Sequence, residues 1–338
     1  MSNISNYLID KYYMEKIKII KKYILIIVFA LTITYSNLAS ASNCGSDDPI
    51  IIPLHNLSSQ ITMSHVVGQM FEKELGCNVK YITTDSQAVY EAIRVGKSTI
   101  EIQVSELVSG NSFNAALDKG GIIDAGNHTA ISRQEWWLPN FVIEMCPGLP
   151  NWEVLNACSE MFAREDSNGK GVLFISEPLD ESINSERIKN LNMNFEIRNV
   201  NEVEVLWKEL ELAVKNKNAI VLINWSPNFT DAMYGGKFVK FPPWSEECLV
   251  NPSWGPNPDA TGDCGSPPSG YIKKAAWHGM PIKWPSAYKA LTRINFTTNM
   301  IAKLSIYVDI DKMNYSDAAK KWIEENQKSV DLWFSKNL

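Results

Sequence analysis

The sequence predicts an α/β protein, and three observations support this. Short β-rich runs alternate with helical patterns along the chain. The alternation starts again after Ala130 as if a second unit of the same kind followed. A long stretch rich in Pro, Gly, Asn and Asp, Phe241 to Gly270, then separates this pattern from a final helical region.

In the first half, Asp48 to Pro53 reads as a strand. Ser58 to Leu75 has helical spacing through Ile61, Val66, Met70, Phe71 and Leu75, and stops at Gly76. Asn78 to Thr83 is a second strand, Ser86 to Arg94 a short helix ending near Gly96, and Thr99 to Val104 a third strand. This order makes half of an open sheet, whose strand ends form the crevice where ligands sit. In the second half, Gly171 to Ile175 is a strand, Val200 to Lys215 a helix and Ala219 to Trp225 a strand. Phe238 to Pro242 leads out of that unit, and Pro285 to Asn337 is helical.

Residues 1–41 read as a signal peptide rather than as part of the fold. Lys16, Lys18, Lys21 and Lys22 make a basic start, Tyr23 to Ile33 an apolar core shorter than a bilayer span, and Ala39-Ser40-Ala41 a small–x–small cleavage pattern. Met14 offers a more typical start than Met1. Export implies an oxidising compartment, so the six cysteines read as disulfides. Proximity along the chain suggests Cys44–Cys77, Cys146–Cys158 and Cys248–Cys264. No Cys-x-x-Cys or zinc-spaced histidine accompanies them.

The chain carries a formal net charge of −6, and removing residues 1–41, with a net +3, takes it to −9. An acidic surface argues against nucleic acid as a partner. Neither GxxxxGK[ST] nor GxGxxG occurs, so no nucleotide site is expected.

Two aromatic stretches stand out. Arg133-Gln-Glu-Trp-Trp-Leu-Pro139 holds Glu135, Trp136 and Trp137 just ahead of a proline, and Ile223-Asn-Trp-Ser-Pro227 ends a strand on Trp225. Core packing is one explanation for such tryptophans. The alternative is that the two stretches face each other across a cleft and cage a small cationic head group.

The order of these features resembles the periplasmic substrate-binding proteins of ABC importers for glycine betaine, choline and related trimethylammonium osmolytes. The residues that carry the likeness are Trp137-Leu138-Pro139, Trp225-Ser226-Pro227 and the terminal helix Ala318 to Asn326, within an exported α/β chain of suitable length. The resemblance implies a two-lobe "Venus flytrap", type II-like, with a hinge and a central ligand cleft. Lobe 1 is expected at 42–130 plus 238–338, lobe 2 at 131–237, and a disulfide-closed irregular hairpin at 244–270. It also implies a monomer in the periplasm that delivers its ligand to an inner-membrane ABC permease. The pocket is an aromatic cage that works by cation–π contact, because a trimethylammonium group cannot donate strong hydrogen bonds.

Carried over by residue, Trp225 matches the family's second-lobe cage position, followed by Trp137 or Trp136. Trp254 and Trp277 are candidates for the remaining wall. Family members often place a tryptophan soon after the third strand, where this chain has Val104-Ser-Glu-Leu-Val108, so Glu106 or a neighbour is expected to take that place. Glu135 and Glu106 suit a ligand with a cationic head and no competing anion. This puts trimethylamine N-oxide, whose oxygen can share a proton with a glutamate, ahead of glycine betaine and choline. Arg133 is the residue that would serve a betaine carboxylate. In the insert, Asn257, Asp259 and Asp263 form a possible structural calcium site, although no cofactor is required. The rival class is a secreted carbohydrate-active enzyme or sugar binder with a tryptophan-lined cleft. Catalysis is not expected, because none of His55, His65, His128 and His278 lies in a G-x-S-x-G setting. A sensor domain is not expected either, since no transmembrane segment follows Leu338.

Overall fold

A computed structural model describes residues 43–335 except 56, 86–87 and 177–180. The expected signal peptide, 1–41, lies outside these residues. Among those described, no helix is long and apolar enough to cross a membrane.

The chain opens with β1 (Ile50–Leu54), α1 (Ser58–Leu75), β2 (Val79–Thr83), α2 (Val89–Arg94), β3 (Ile100–Ser105) and α3 (Glu106–Asp118). Helix α1 ends where Gly76 takes a left-handed conformation, φ 65°, so that its N–H and that of Cys77 reach the carbonyls of Glu72 and Phe71. The 18-residue strand β4 (Ile122–Pro139) follows. Next come α4 (Asn140–Ile143), α5 (Trp152–Ala157), β5 (Gly171–Ile175), α6 (Glu181–Asn190), β6 (Phe195–Asn199), α7 (Val203–Asn216), β7 (Val221–Ser226), α8 (Phe229–Met233) and β8 (Gly236–Phe238). The irregular segment then runs to β9 (Gly270–Trp277). The chain ends in α9 (Met280–Lys283), α10 (Pro285–Arg293), α11 (Thr298–Ser305), α12 (Tyr315–Glu325) and α13 (Gln327–Phe334).

Strands β1 and β2 pair in parallel, and the larger sheet has the order β3-β9-β4-β7-β5-β6, with β8 also on β4. Strand β4 runs through both halves of this sheet. Its residues up to Ser132 pair with β9, Arg133–Trp137 pair with β7, and Trp137–Pro139 pair with β8. Irregularities between Asp124, Asn127 and Ile131 bend the strand before it changes partners. The core divides accordingly. One apolar cluster joins β1, α1 and the C-terminal helices α9–α13. Two others lie on opposite faces of the second half of β4, one holding Trp136 and Leu138, the other Trp137.

Three disulfides close Cys44–Cys77, Cys146–Cys158 and Cys248–Cys264. The irregular segment docks on α6 and β4. Asn190 Nδ2 donates to Thr261 O, Asn257 Nδ2 donates to Asn190 O, and Arg187 Nε donates to Cys264 O.

Candidate functional site: an aromatic pair facing an acidic wall

Strand β7 carries Trp225 at its C-terminal end, followed by a cis Ser226–Pro227 peptide and helix α8. A side-chain network fixes this corner. Asn224 Oδ1 accepts from Trp225 N at 2.9 Å and from Asn228 Nδ2 at 2.8 Å, while Asn224 Nδ2 donates to Thr230 Oγ1 at 2.9 Å. Asn228 also caps α8 in a reciprocal box with Asp231. Burial pushes the Asp231 carboxyl up, against hydrogen bonds from Asn228 and Ser226 that pull it down. The network fixes the backbone at Trp225, whose ring is half-buried. Its centroid lies 5.2 Å from that of Trp207 on α7, and Trp207 meets Phe229 edge-on at 4.9 Å.

The other wall starts at the C-terminal end of β1. His55 Nε2 lies 3.1 Å from Glu101 Oε2, and the same buried carboxylate accepts from Gln60 Nε2 at 3.2 Å and Gln103 N at 2.8 Å. Burial pulls the His55 pKa down, but the hydrogen bond and charge of Glu101, with the charge of Asp85, outweigh it and leave the value raised. At the first turn of α1, Ser58 Oγ donates to Asp309 Oδ2 at 2.9 Å. Asp309 is raised by burial and, in part, by the charge of Glu204, against the pull of Ser58 and Lys312. Glu204 lies three residues before Trp207 on α7, so the two share a helix face. Helix α11 packs against α8. The packing of α11 on α8 and the effect of the Glu204 charge on Asp309 link the element that follows Trp225 and the helix that carries Trp207 to the segment that carries Asp309.

Several expected site residues are elsewhere. Trp136 is fully buried, donates Nε1 to Asn184 Oδ1 at 2.7 Å and packs on Phe195 and Phe241. This corrects the expectation that it faces a ligand. Glu135 is also corrected: its carboxylate accepts from Arg187 Nη1 at 2.7 Å, Ser266 N at 2.7 Å and Trp136 N at 2.9 Å, so it clamps the insert. Trp277 belongs to neither wall. Strand β9 is antiparallel to β3, so its end lies beside the start of β3, and the indole packs between Gly96 and Gly279. Glu106 is exposed in the first turn of α3 and accepts from Tyr271 N at 2.9 Å. Trp254 is 48% exposed on the insert.

Trp137 is buried in the cluster against which Trp207 and Tyr234 pack, so it backs the aromatic pair. Gly236 leaves room for it, since a Cβ there would stand 2.2 Å from the indole. Arg133 lies over the Phe238 ring at 4.6 Å, its pKa lowered by burial against the opposing charge of Glu135. Trp207, His55 and Glu101 were not anticipated. Trp207 is masked by its amphipathic helix, and His55 and Glu101 carry no motif. A surface pocket of about 340 Å³, lined by Trp152, Lys240, Phe241 and Pro256 among others, contains neither Trp225 nor His55.

In the insert, Asp263 is fully buried and its Oδ2 accepts from Asn257 N at 2.7 Å. Asn257 Oδ1 accepts from Asp259 N, and Asp259 is exposed. Among the described residues no three His, Cys, Asp or Glu side chains converge as a metal cage.

The profile of the family described as the substrate-binding domain of ABC-type glycine betaine transport systems matches residues 48–325. The chain belongs to this family. As a family member, it is the ligand-capturing part of an importer, outside the cytoplasm, that passes a small ligand to a membrane permease. It is 41% identical over 323 residues to the trimethylamine N-oxide-binding protein of Pelagibacter ubique strain HTCC1062, covering 93% of this chain and 100% of that protein. Solved structures share the fold. Lactococcal OpuAC in its closed, glycine betaine-bound conformation superposes with a TM-score of 0.59 at 17% identity, over 86% of this chain and 100% of that one. A choline-binding ABC-transporter protein complexed with choline gives 0.58 at 14% identity, over 86% and 92%. The fold of this family member is thus the two-lobe α/β architecture of periplasmic binding proteins.

Proposed function

We propose that this protein captures a small trimethylammonium osmolyte in the cleft between its lobes, trimethylamine N-oxide first, then glycine betaine or choline, and hands it to an inner-membrane permease from the periplasm. The observation that carries the reading is the Trp207–Trp225 pair, with ring centroids 5.2 Å apart and Trp207 on a helix whose Glu204 is close enough for its charge to act on Asp309. Ring faces and nearby carboxylates both favour a cation that offers no strong hydrogen bond, at about 0.5–2 kcal/mol per ring. The 41%-identical trimethylamine N-oxide-binding relative supports this choice of ligand.

In this reading, lobe 1 comprises 42–130 and 238–338 and lobe 2 comprises 131–237. The separate apolar clusters support that division, and the hydrogen bonds of Arg187 and Asn190 attach the 244–270 insert to lobe 2. The protein acts as a monomer, binds no nucleic acid and turns nothing over. The calcium reading narrows to the buried Asp263 carboxylate, which among the described residues accepts from Asn257 N and lies 3.8 Å from the Cys248 sulfur, so loop oxygens would have to complete a hard-cation site. A calcium-dependent rise in melting temperature, abolished by Asp263→Asn, tests it.

The main test is calorimetric titration of residues 42–338 with the three ligands, repeated on Trp225→Ala. Micromolar or tighter binding of one ligand, weakened roughly tenfold in the variant, supports the proposal. A folded protein that ignores all three sinks it.

A further inference from the structure

A trimethylammonium ligand with an oxygen has two ends to satisfy. Ring faces serve the cationic end, but the N-oxide oxygen is a strong acceptor, and sealing it in a closed cleft without a donor is costly. Sequence alone pointed to Glu135 or Glu106. Glu135 is held by Arg187 and Ser266, and Glu106 already accepts from Tyr271 N–H.

We infer that His55 is the specificity-determining residue for the ligand oxygen, donating to it from Nδ1. The inference rests on the trimethylammonium reading above. His55 lies at the carboxyl end of β1, where ligands meet an α/β sheet, and its side chain is 14% exposed. Its Nε2 is turned toward Glu101, and Glu101 is held in turn by Gln60 Nε2 and Gln103 N–H. The ring is thus oriented by a fully buried carboxylate, and among the described residues Nδ1 has no hydrogen-bond partner. With Nε2–H committed to Glu101, neutral imidazole presents only a lone pair at Nδ1, whereas imidazolium presents an N–H. The charged groups facing the ring are Glu101 on β3 and Asp85 after β2, with Asp309 bound to Ser58 on the adjoining turn of α1. These anions favour the imidazolium, and the pKa is raised accordingly.

The arrangement separates ligands. An N-oxide or carboxylate oxygen gains the charged donor. Tetramethylammonium, with the same cationic surface and no oxygen, gains nothing from it.

The test is calorimetric binding of trimethylamine N-oxide and tetramethylammonium to the wild-type chain and to His55→Ala, with wild-type titrations repeated from pH 6 to pH 9. His55→Ala is expected to weaken N-oxide binding tenfold or more while changing tetramethylammonium binding less than threefold. In the wild type, N-oxide affinity is expected to fall as pH rises through the raised imidazole pKa, above 6.5, and tetramethylammonium affinity is not. The pH series needs no variant, so it decides the matter even if His55→Ala fails to fold. Equal losses for both ligands, or N-oxide affinity that ignores pH, would overturn the assignment. Wild-type protein that binds neither ligand would instead sink the trimethylammonium reading on which it stands.

Discussion

Glu135 and Arg187 form an ion pair at 2.7 Å with side chains 4% and 2% exposed, tying the strand shared by both halves of the sheet to the segment that leads back into β9. Arg187 also lies over Phe241 at 4.6 Å. A buried pair broken on one side leaves an uncompensated charge, so Arg187→Met should cost about 3–5 kcal/mol. The double variant Glu135→Leu with Arg187→Met should cost less than the sum of the two single changes. Urea unfolding of the three variants checks this; additive losses would mean that the pair is not coupled.

Two tryptophans should respond in opposite ways. Trp225→Ala should weaken ligand binding by roughly tenfold, in line with the upper part of the cation–π range, and leave the melting temperature nearly unchanged. Trp136→Ala empties a fully buried site and removes the donor to Asn184, so it should cost about 3–5 kcal/mol of stability. Thermal unfolding and calorimetry on both variants separate the two roles.

His128 should make the fold acid-sensitive. Its Nε2 lies 3.0 Å from Ile102 O and its Nδ1 accepts from Phe296 N at 3.0 Å, which fixes the neutral ring. Burial, with the Lys274 charge beside it, pulls its pKa down to about 3. Below pH 6.5 the unfolded chain takes up a proton that the folded chain refuses. Stability therefore falls as pH drops from 6.5 toward about 3, at up to about 1.4 kcal/mol per pH unit. Denaturant unfolding between pH 6.5 and pH 5, where most carboxylates have not yet titrated, should show a steeper fall in the wild type than in His128→Gln, in which the lowered pKa of the partly buried His65 still contributes.

The Cys248–Cys264 bridge closes a loop with a sequence separation of 16, for which chain entropy gives about 3 kcal/mol. Replacing both cysteines with serine should lower stability by about that amount. Ligand affinity should change little, because Trp207, Trp225 and His55 lie outside the loop. A large loss of affinity at unchanged stability would instead tie the insert directly to the cleft.

Different parts of the molecule were legible in the sequence to different degrees, for physical reasons. Trp225 was visible because a strand that ends in Trp-Ser-Pro presents its last large side chain at the carboxyl end of the strand. Trp207 was hidden because a tryptophan on an amphipathic helix has the same spacing as a core residue. Glu135 was misread because a carboxylate beside tryptophans suits a cation, while Arg187, which claims it, is 52 residues away. The length of β4 was missed because Asn127, His128 and Thr129 break the alternation where the strand bends and changes partners. The strands and helices that were predicted in the two halves, whose periodicity is local, were read nearly to their ends, whereas α3, α6, β6 and β9 were not predicted.

The neighbouring tryptophans of β4 bear on how this protein can change over time. Trp136 and Trp137 are held by apolar clusters on opposite faces of one strand. Inserting or deleting a single codon near them would exchange their faces, pull Trp136 away from Asn184 and Glu135 away from Arg187, and expose one indole to the wrong side. Descendants of this chain can therefore retune the cleft by substitution, while the number of residues through Gln134–Trp137 stays locked.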